Sequence, residues 1–272
     1  MSSPELHPLF IKSLARGLSV LEAFSSQRSR LTLTELAQAT GLNLAAVQRC
    51  AHTLLALGYL QRGERKEYSL GGRVLSLGYS CLQGSELRKM AESHLRRFSE
   101  RIKATVNLSV LDDTEVLVLF RNEVQRFFKF DLRPGSKLPS YCTSMGKVLL
   151  ASLPEPELRA RIARIKLERM TPYTITDPRK LLREVLRVRR QGMAESDKEA
   201  SLALYSLAVP LLDHRREVVA AVNISLPLVQ NGKQASTRLS RLLVEQGRNL
   251  SSLLGYDGPY PLIPAQAAAE ER

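Results

Sequence analysis

Three groups of residues have the types and spacing to do chemistry. The first is the outward face of a helix expected over residues 43–57, which carries Ala45, Ala46, Gln48, Arg49, His52 and Thr53. Arginine can donate two parallel hydrogen bonds to a guanine edge, glutamine can pair with adenine, and alanine methyls can touch thymine methyls. Small residues at the start of such a helix also let it sink into a groove. Thr34 on the preceding helix and Asn43 at the opening of this one flank the same face. Downstream, the charged turn over residues 61–67 offers Arg62, Arg65 and Lys66 to phosphates or a minor groove. Glu64 and Glu67 oppose part of that charge, and a simple solvated turn would look the same.

The second group is Leu138-Pro-Ser-Tyr-Cys-Thr-Ser-Met-Gly-Lys147, a hydroxyl-rich loop running into a helix start. Free N–H groups there attract anions, and Thr143 or Ser144 can cap the helix or contact a carboxylate. The segment is not a phosphate-binding loop. Tyr141 stands where the first glycine would be, and Val148 replaces the hydroxyl residue after the lysine. The third group is Ser206 on one late strand, with Asn223 and Ser225 sharing a face of the next. With Met145 and Leu204 as apolar walls, they suit a mostly apolar pocket holding a few placed polar groups; local backbone bonding would explain them equally. No catalytic constellation appears: G-x-S-x-G, H-E-x-x-H and G-x-G-x-x-G are all absent, and Cys142 lacks a His/Asn partner set. Four histidines and three scattered cysteines suggest no metal site, and no cofactor is expected.

The elements that must position these groups follow from periodicity. Leu14, Leu18, Leu21 and Phe24 recur at helical spacing, with Val20 beside them. Thr32 and Glu35 have capping-box spacing ahead of Leu33, Leu36 and Ala37. Gly41 suits a left-handed helix end, Leu42 plugs the turn, and a third helix follows with Val47, Cys50, Ala51, Leu54 and Leu57 inward. Two short helices across a tight turn, then strands around Tyr59-Leu60 and Tyr68–Leu70, read as a winged helix-turn-helix. Further helices are expected over 73–82 and 87–102, with Leu75, Tyr79, Met90 and Phe98 as candidate dimer seams. Strands are expected over 105–110, 116–120 and 126–132. Helices then cover 144–152, 155–165 and 177–191, strands 204–212 and 218–226, and a last helix 233–254. Alternation turns Tyr205 to the face opposite Leu204 and Ser206, toward a domain or dimer interface.

The resulting fold class is α+β. A winged helix-turn-helix DNA-binding domain (12–72) is joined by a linker helix (73–86) to a C-terminal effector-binding domain with an antiparallel sheet (87–256), and a disordered tail (257–272) closes the chain. Forty Lys+Arg against 27 Asp+Glu give a net charge of +13, a surface that attracts polyanions. The charge is spread: Arg159, Arg161, Arg164, Lys166, Arg169, Arg183, Arg187, Arg189 and Arg190 lie far downstream, as solvated helix faces. No apolar run could cross a bilayer, no signal peptide is evident, and reduced thiols fit a cytoplasmic protein. An effector-responsive DNA-binding regulator is the leading reading. A small-molecule-binding protein or enzyme whose N-terminal module only oligomerises is the alternative.

These motifs together resemble the IclR family of bacterial regulators over roughly residues 12–255. Ser13–Phe24, Leu31–Ala37, Thr40–Leu42, Leu57–Leu60 and Tyr68–Gly71 match its helix-turn-helix and wing. Leu138–Ala151, Thr174–Pro178, Ala208–Pro210 and Ala220–Ser225 match its effector half. Arg49–Leu54 and Pro139–Gly146 are closest to the PcaR/PobR-type branch that controls aromatic-acid catabolism. The resemblance implies a GAF-like α/β effector domain and a dimer or dimer of dimers on a palindromic double-stranded operator. It also implies a small carboxylic-acid effector held by Ser144, Met145, Leu204, Ser206, Asn223 and Ser225, beside Thr143. The chain departs from that branch at Ala203-Leu-Tyr-Ser206, where Gly-Leu-Arg-Ser is usual, and at Asn43-Leu44, where basic residues usually open the recognition helix.

Overall fold

The computed structural model describes residues 8–25, 28–123, 132–227 and 232–263. The chain divides into two compact units between Gly84 and Ser85.

In the first unit, helices α1 (Lys12–Glu22), α2 (Leu33–Thr40) and α3 (Leu44–Ala56) precede a hairpin of β1 (Leu60–Arg62) and β2 (Tyr68–Leu70). Val20, Phe24, Leu31, Leu36, Val47, Ala51, Leu60 and Tyr68 form its core. The capping box of α2 is complete: Thr32 Oγ1 accepts from the Glu35 N–H, and the Glu35 carboxylate accepts from the Thr32 N–H. Gly41 ends α2 at φ 69°, a backbone a side chain would strain, and so sets the turn into α3. Not every expected inward residue is buried. Leu14, Leu18 and Leu57 are about half exposed and line an open groove between α1 and α3. Three short helices have too little surface to cover every apolar position.

Helix α4 (Gly72–Gly84) follows, and none of its residues is buried within the chain. Leu75, Leu77 and Tyr79 stand in the open.

The second unit opens with α5 (Glu86–Ile102). Six described strands form one antiparallel sheet: β3 (Thr105–Asp112), β4 (Glu115–Asn122), β5 (Lys137–Pro139), β6 (Ala194–Asp197), β7 (Leu204–Leu212) and β8 (Val218–Pro227). Their order is β5-β4-β3-β8-β7-β6. Between β5 and β6 lie α6 (Ser144–Ser152), α7 (Glu155–Arg164) and α8 (Pro178–Gln191), and α9 (Gly232–Leu253) follows β8. Helix α6 is buried along its whole length, because the sheet and α8 both pack on it.

Several expectations change here. The strand expected over 126–132 falls, except for Leu132, outside the described residues. The short β5 and β6 were not anticipated; three or four residues carry too little alternation to read. Phe98 is not available as a dimer seam, since it is 2% exposed in the core of its own unit, and Met90 packs against that core. Within the tail expected to be disordered, residues 257–263 pack on the second unit. Tyr256, Tyr260 and Ile263 are buried, the Tyr260 hydroxyl donates to the Pro210 carbonyl at 2.6 Å, and Arg248 donates to the Tyr260 carbonyl at 3.1 Å. Two tyrosines and an isoleucine bury enough apolar area to hold a proline-rich segment. Residues 264–272 lie outside the description.

Candidate DNA-binding face and effector site

Helix α3 keeps its chemistry outside. Ala45, Gln48, Arg49, His52 and Thr53 are exposed while Val47 and Ala51 are buried; Ala46 is half-buried. Asn43 is spent on structure in part, because its Oδ1 accepts from the Ala46 N–H at 2.8 Å and caps α3. The Thr53 hydroxyl likewise donates back to the Arg49 carbonyl at 3.0 Å. Thr34 is exposed in the first turn of α2. The wing tip is more positive than its composition suggests. Arg30 reaches Glu67 at 2.9 Å, so that acid is already paired. Arg62, which lies over the Tyr68 ring at 5.9 Å, Arg65 and Lys66 remain exposed with Glu64 as the other acid at the tip.

In the second unit, one face of the sheet is polar and covered. Register sets Ser206 directly opposite Ser225, Asn223 opposite Asn107, and Asn107 opposite Arg121. Ser206, Asn223, Ser225 and Asn107 are each at least nine-tenths buried. Ser144, at the start of α6, donates to the Ser206 hydroxyl at 2.9 Å. Ser109 donates to the sulfur of the buried Met145 at 3.0 Å. The structure therefore brings Ser144, Met145, Ser206, Asn223 and Ser225 to one place. Leu204 is half-buried on the same face of β7, toward its end. Thr143 has a structural job: its Oγ1 accepts from the Gly146 N–H and donates to the Pro139 carbonyl. With that cap made, the N–H groups of Ser144 and Met145 have no partner among the described residues. Gly146 permits the arrangement, since a Cβ there would lie 2.1 Å from the Ser140 carbonyl oxygen.

Sequence reading missed Asn107, Ser109, Arg121 and Ser196. The three on β3 and β4 precede any motif that draws attention, and only register across β8 reveals them. Ser196 stands opposite Ser206 on β6 and donates to the Cys142 carbonyl. Lys147 also has a place: its buried ammonium sits between Glu199, Glu184 at 3.6 Å and the Glu195 carbonyl. That lysine is consumed inside the fold, as a phosphate-gripping lysine would not be. Burial, with Glu199 nearby, pushes the Cys142 thiol up to about 12, which leaves it a protonated packing residue. Tyr205 is buried within its own unit on the opposite face, its hydroxyl on Glu195.

Comparison with known proteins places both halves. The model of the IclR helix-turn-helix domain matches residues 13–64, and that of the bacterial transcriptional regulator IclR C-terminal matches residues 79–252. The chain belongs to the IclR family. It is similar to the Pca regulon regulatory protein of Pseudomonas putida, 38% identical over 80% of this chain and 75% of that one. It is also similar to the p-hydroxybenzoate hydroxylase transcriptional activator of Acinetobacter baylyi, 36% identical over 79% and 80%. Among solved structures, an IclR-family regulator from Brucella abortus superposes with a TM-score of 0.79 at 29% identity, over 93% of this chain and 97% of that one. An IclR homologue from Microbacterium hydrocarbonoxydans, complexed with 4-hydroxybenzoate, gives a TM-score of 0.73 at 29% identity, over 90% and 99%. This IclR-family protein is accordingly a DNA-binding transcription regulator. The relatives are named as regulators and repressors, not enzymes, so the reading of the N-terminal module as a mere oligomerisation device falls. No helix among the described residues is long and apolar enough to cross a membrane.

Proposed function

We propose that this IclR-family regulator controls genes of aromatic-compound breakdown in the cytoplasm and answers to a small, aromatic carboxylic acid bound in its second unit. The observation that carries this is the buried polar patch at the start of α6. The N–H groups of Ser144 and Met145, without partners among the described residues, lie beside Ser206, which Ser144 touches, and Ser225 stands opposite Ser206. A helix start favours a carboxylate through its N–H groups and dipole, and Met145 and Leu204 supply apolar contact for a ring. The 4-hydroxybenzoate bound to one homologue and the names of two relatives support the same chemistry.

On the DNA side, Gln48, Arg49 and His52, flanked by Thr34, Asn43, Ala45, Ala46 and Thr53, read the bases, and Arg62, Arg65 and Lys66 hold the backbone. One such head covers too little DNA, so a homodimer or dimer of dimers binds a palindromic double-stranded operator. The exposed Leu75, Leu77 and Tyr79 of α4 support a seam there. Ligand binding acts by favouring one of two states with different operator affinity.

The test is calorimetry with hydroxybenzoates, protocatechuate and β-ketoadipate-like acids on wild type and on Ser225→Leu. Binding to wild type that is lost in the variant is expected. Equal binding to both proteins would remove the assigned pocket, and no binding at millimolar concentration would remove the aromatic acid. Sedimentation of a monomer that keeps full operator affinity would remove the dimer.

A further inference from the structure

Between Arg121 and Ser225 the sheet carries an unbroken line of buried side-chain hydrogen bonds. The Arg121 side chain is 7% exposed, and its Nη1 donates to Asn107 Oδ1 at 3.0 Å. Asn107 Nδ2 donates to Asn223 Oδ1 at 2.7 Å. Asn223 Nδ2 donates to Ser225 Oγ at 3.2 Å. Register explains the line, because Arg121, Asn107 and Asn223 stand opposite one another on β4, β3 and β8.

The direction of the line is not free. A guanidinium has donors and no acceptor, so Asn107 must turn its carbonyl oxygen toward Arg121. That leaves its NH2 for Asn223, which must accept with its own oxygen and pass its NH2 to Ser225. One arginine thus fixes both amide orientations. At the far end Ser225 already accepts, and its O–H has no acceptor among the described residues. Ser206, directly opposite Ser225, likewise accepts from Ser144 and has no acceptor for its own proton among the described residues. Two hydroxyl donors on paired strands, side by side, match the two oxygens of one carboxylate.

We propose that Arg121, acting through Asn107 and Asn223, is a positioning residue that turns the Ser225 proton away from Asn223 and frees it for the effector, so that Ser225 and Ser206 together favour a carboxylate over a neutral group. Glu123 takes Nη2 of Arg121 at 3.0 Å, and Nε is buried without a partner among the described residues. Of the donors with partners, Nη2 is tied to Glu123 and Nη1 heads the line. Chains of hydrogen bonds headed by a cation polarise one another, which strengthens the terminal donor. The proposal rests on the effector site assigned above.

Calorimetry on the full chain with 4-hydroxybenzoate and its neutral amide, 4-hydroxybenzamide, tests it. In Asn107→Asp the new carboxylate accepts from Arg121 but cannot donate to Asn223, whose amide must then flip, so that Ser225 spends its proton on Asn223. Asn107→Leu cuts the line without adding charge and so separates loss of polarity from simple repulsion of the acid. The preference of wild type for the acid over the amide should fall about tenfold or more in both variants. Arg121→Gln, which removes the charge and can accept as well as donate, should lower the same ratio and serves if either Asn107 variant fails to fold. An unchanged ratio in Asn107→Leu or Arg121→Gln, with wild type binding the acid, would leave the line merely structural and overturn the proposal. Wild type binding neither probe would overturn the effector reading first and this proposal with it.

Discussion

Replacing Gly146 with alanine sets two opposed effects against each other. In an ordinary helix interior the change gains about 1 kcal/mol, because glycine gives up more backbone freedom than alanine. Here the added methyl would lie 2.1 Å from the Ser140 carbonyl oxygen and 2.3 Å from the Ser140 Cα. Unstrained carbon contacts are about 3.5–4.0 Å, so the loop over 140–143 would have to retreat by at least about 1 Å. Backbone cannot rotate out of the way as a side chain does. Overpacking of this kind costs about 1–3 kcal/mol. The retreat also pulls on the Thr143 cap and on the Ser140 hydroxyl bond to the Thr114 carbonyl, with about 1 kcal/mol at stake in the cap alone. The clash wins, and Gly146→Ala should be destabilised by about 1–3 kcal/mol net in urea unfolding. If the effector binds at the proposed site, its affinity should drop with it, since Ser144 and Met145 ride on the displaced turn. Gly17→Ala is the matched comparison. Gly17 lies within α1 and an added Cβ meets nothing within 4 Å. The same substitution there should stabilise by up to about 1 kcal/mol. If Gly146→Ala were as stable as wild type, the close seating of the loop on α6 would be refuted.

Arg49→Ala should cost about 1–3 kcal/mol of operator binding with little change on random DNA; equal losses on both would reduce Arg49 to a phosphate contact. Replacing Arg62, Arg65 and Lys66 together should flatten the salt dependence of binding by roughly 0.9 for each phosphate no longer neutralised, read as the slope of log K against log salt. Asp177 caps α8 by accepting from the Arg179 and Lys180 N–H groups, which holds its carboxyl below the usual range. Its contribution is present above about pH 4 and lost as pH falls through the lowered value, so Asp177→Ala should lose stability at neutral pH and show a shallower acid decline. With its thiol pushed up to about 12 and buried, Cys142 should resist iodoacetamide at pH 8 until the chain unfolds; rapid labelling would contradict its burial.

Local chemistry determined most of the first unit. The Thr32–Glu35 box, Gly41 and the outward stripe of α3 depend on residues three or four apart, and helix geometry fixes those distances before any tertiary contact forms. The same holds for the Asp177 cap and for the alternation that turned Tyr205 away from Ser206. Burial was another matter. Leu14, Leu18, Leu57 and Phe98 have the same apolar character in sequence, yet three stay in a groove and one is sealed in a core, because burial depends on what the rest of the chain brings to cover them. Tyr256, Tyr260 and Ile263 hold a segment whose prolines alone suggest disorder. The proposed effector patch divides along the same line. Ser206, Asn223 and Ser225 were legible as polar residues in apolar strands. Asn107 and Arg121 are over a hundred residues from Asn223 in sequence, and only the pairing of β4, β3 and β8 puts the three in one row. Which strand lies next to which is decided by a sheet that must assemble as a whole, and no local spacing encodes it.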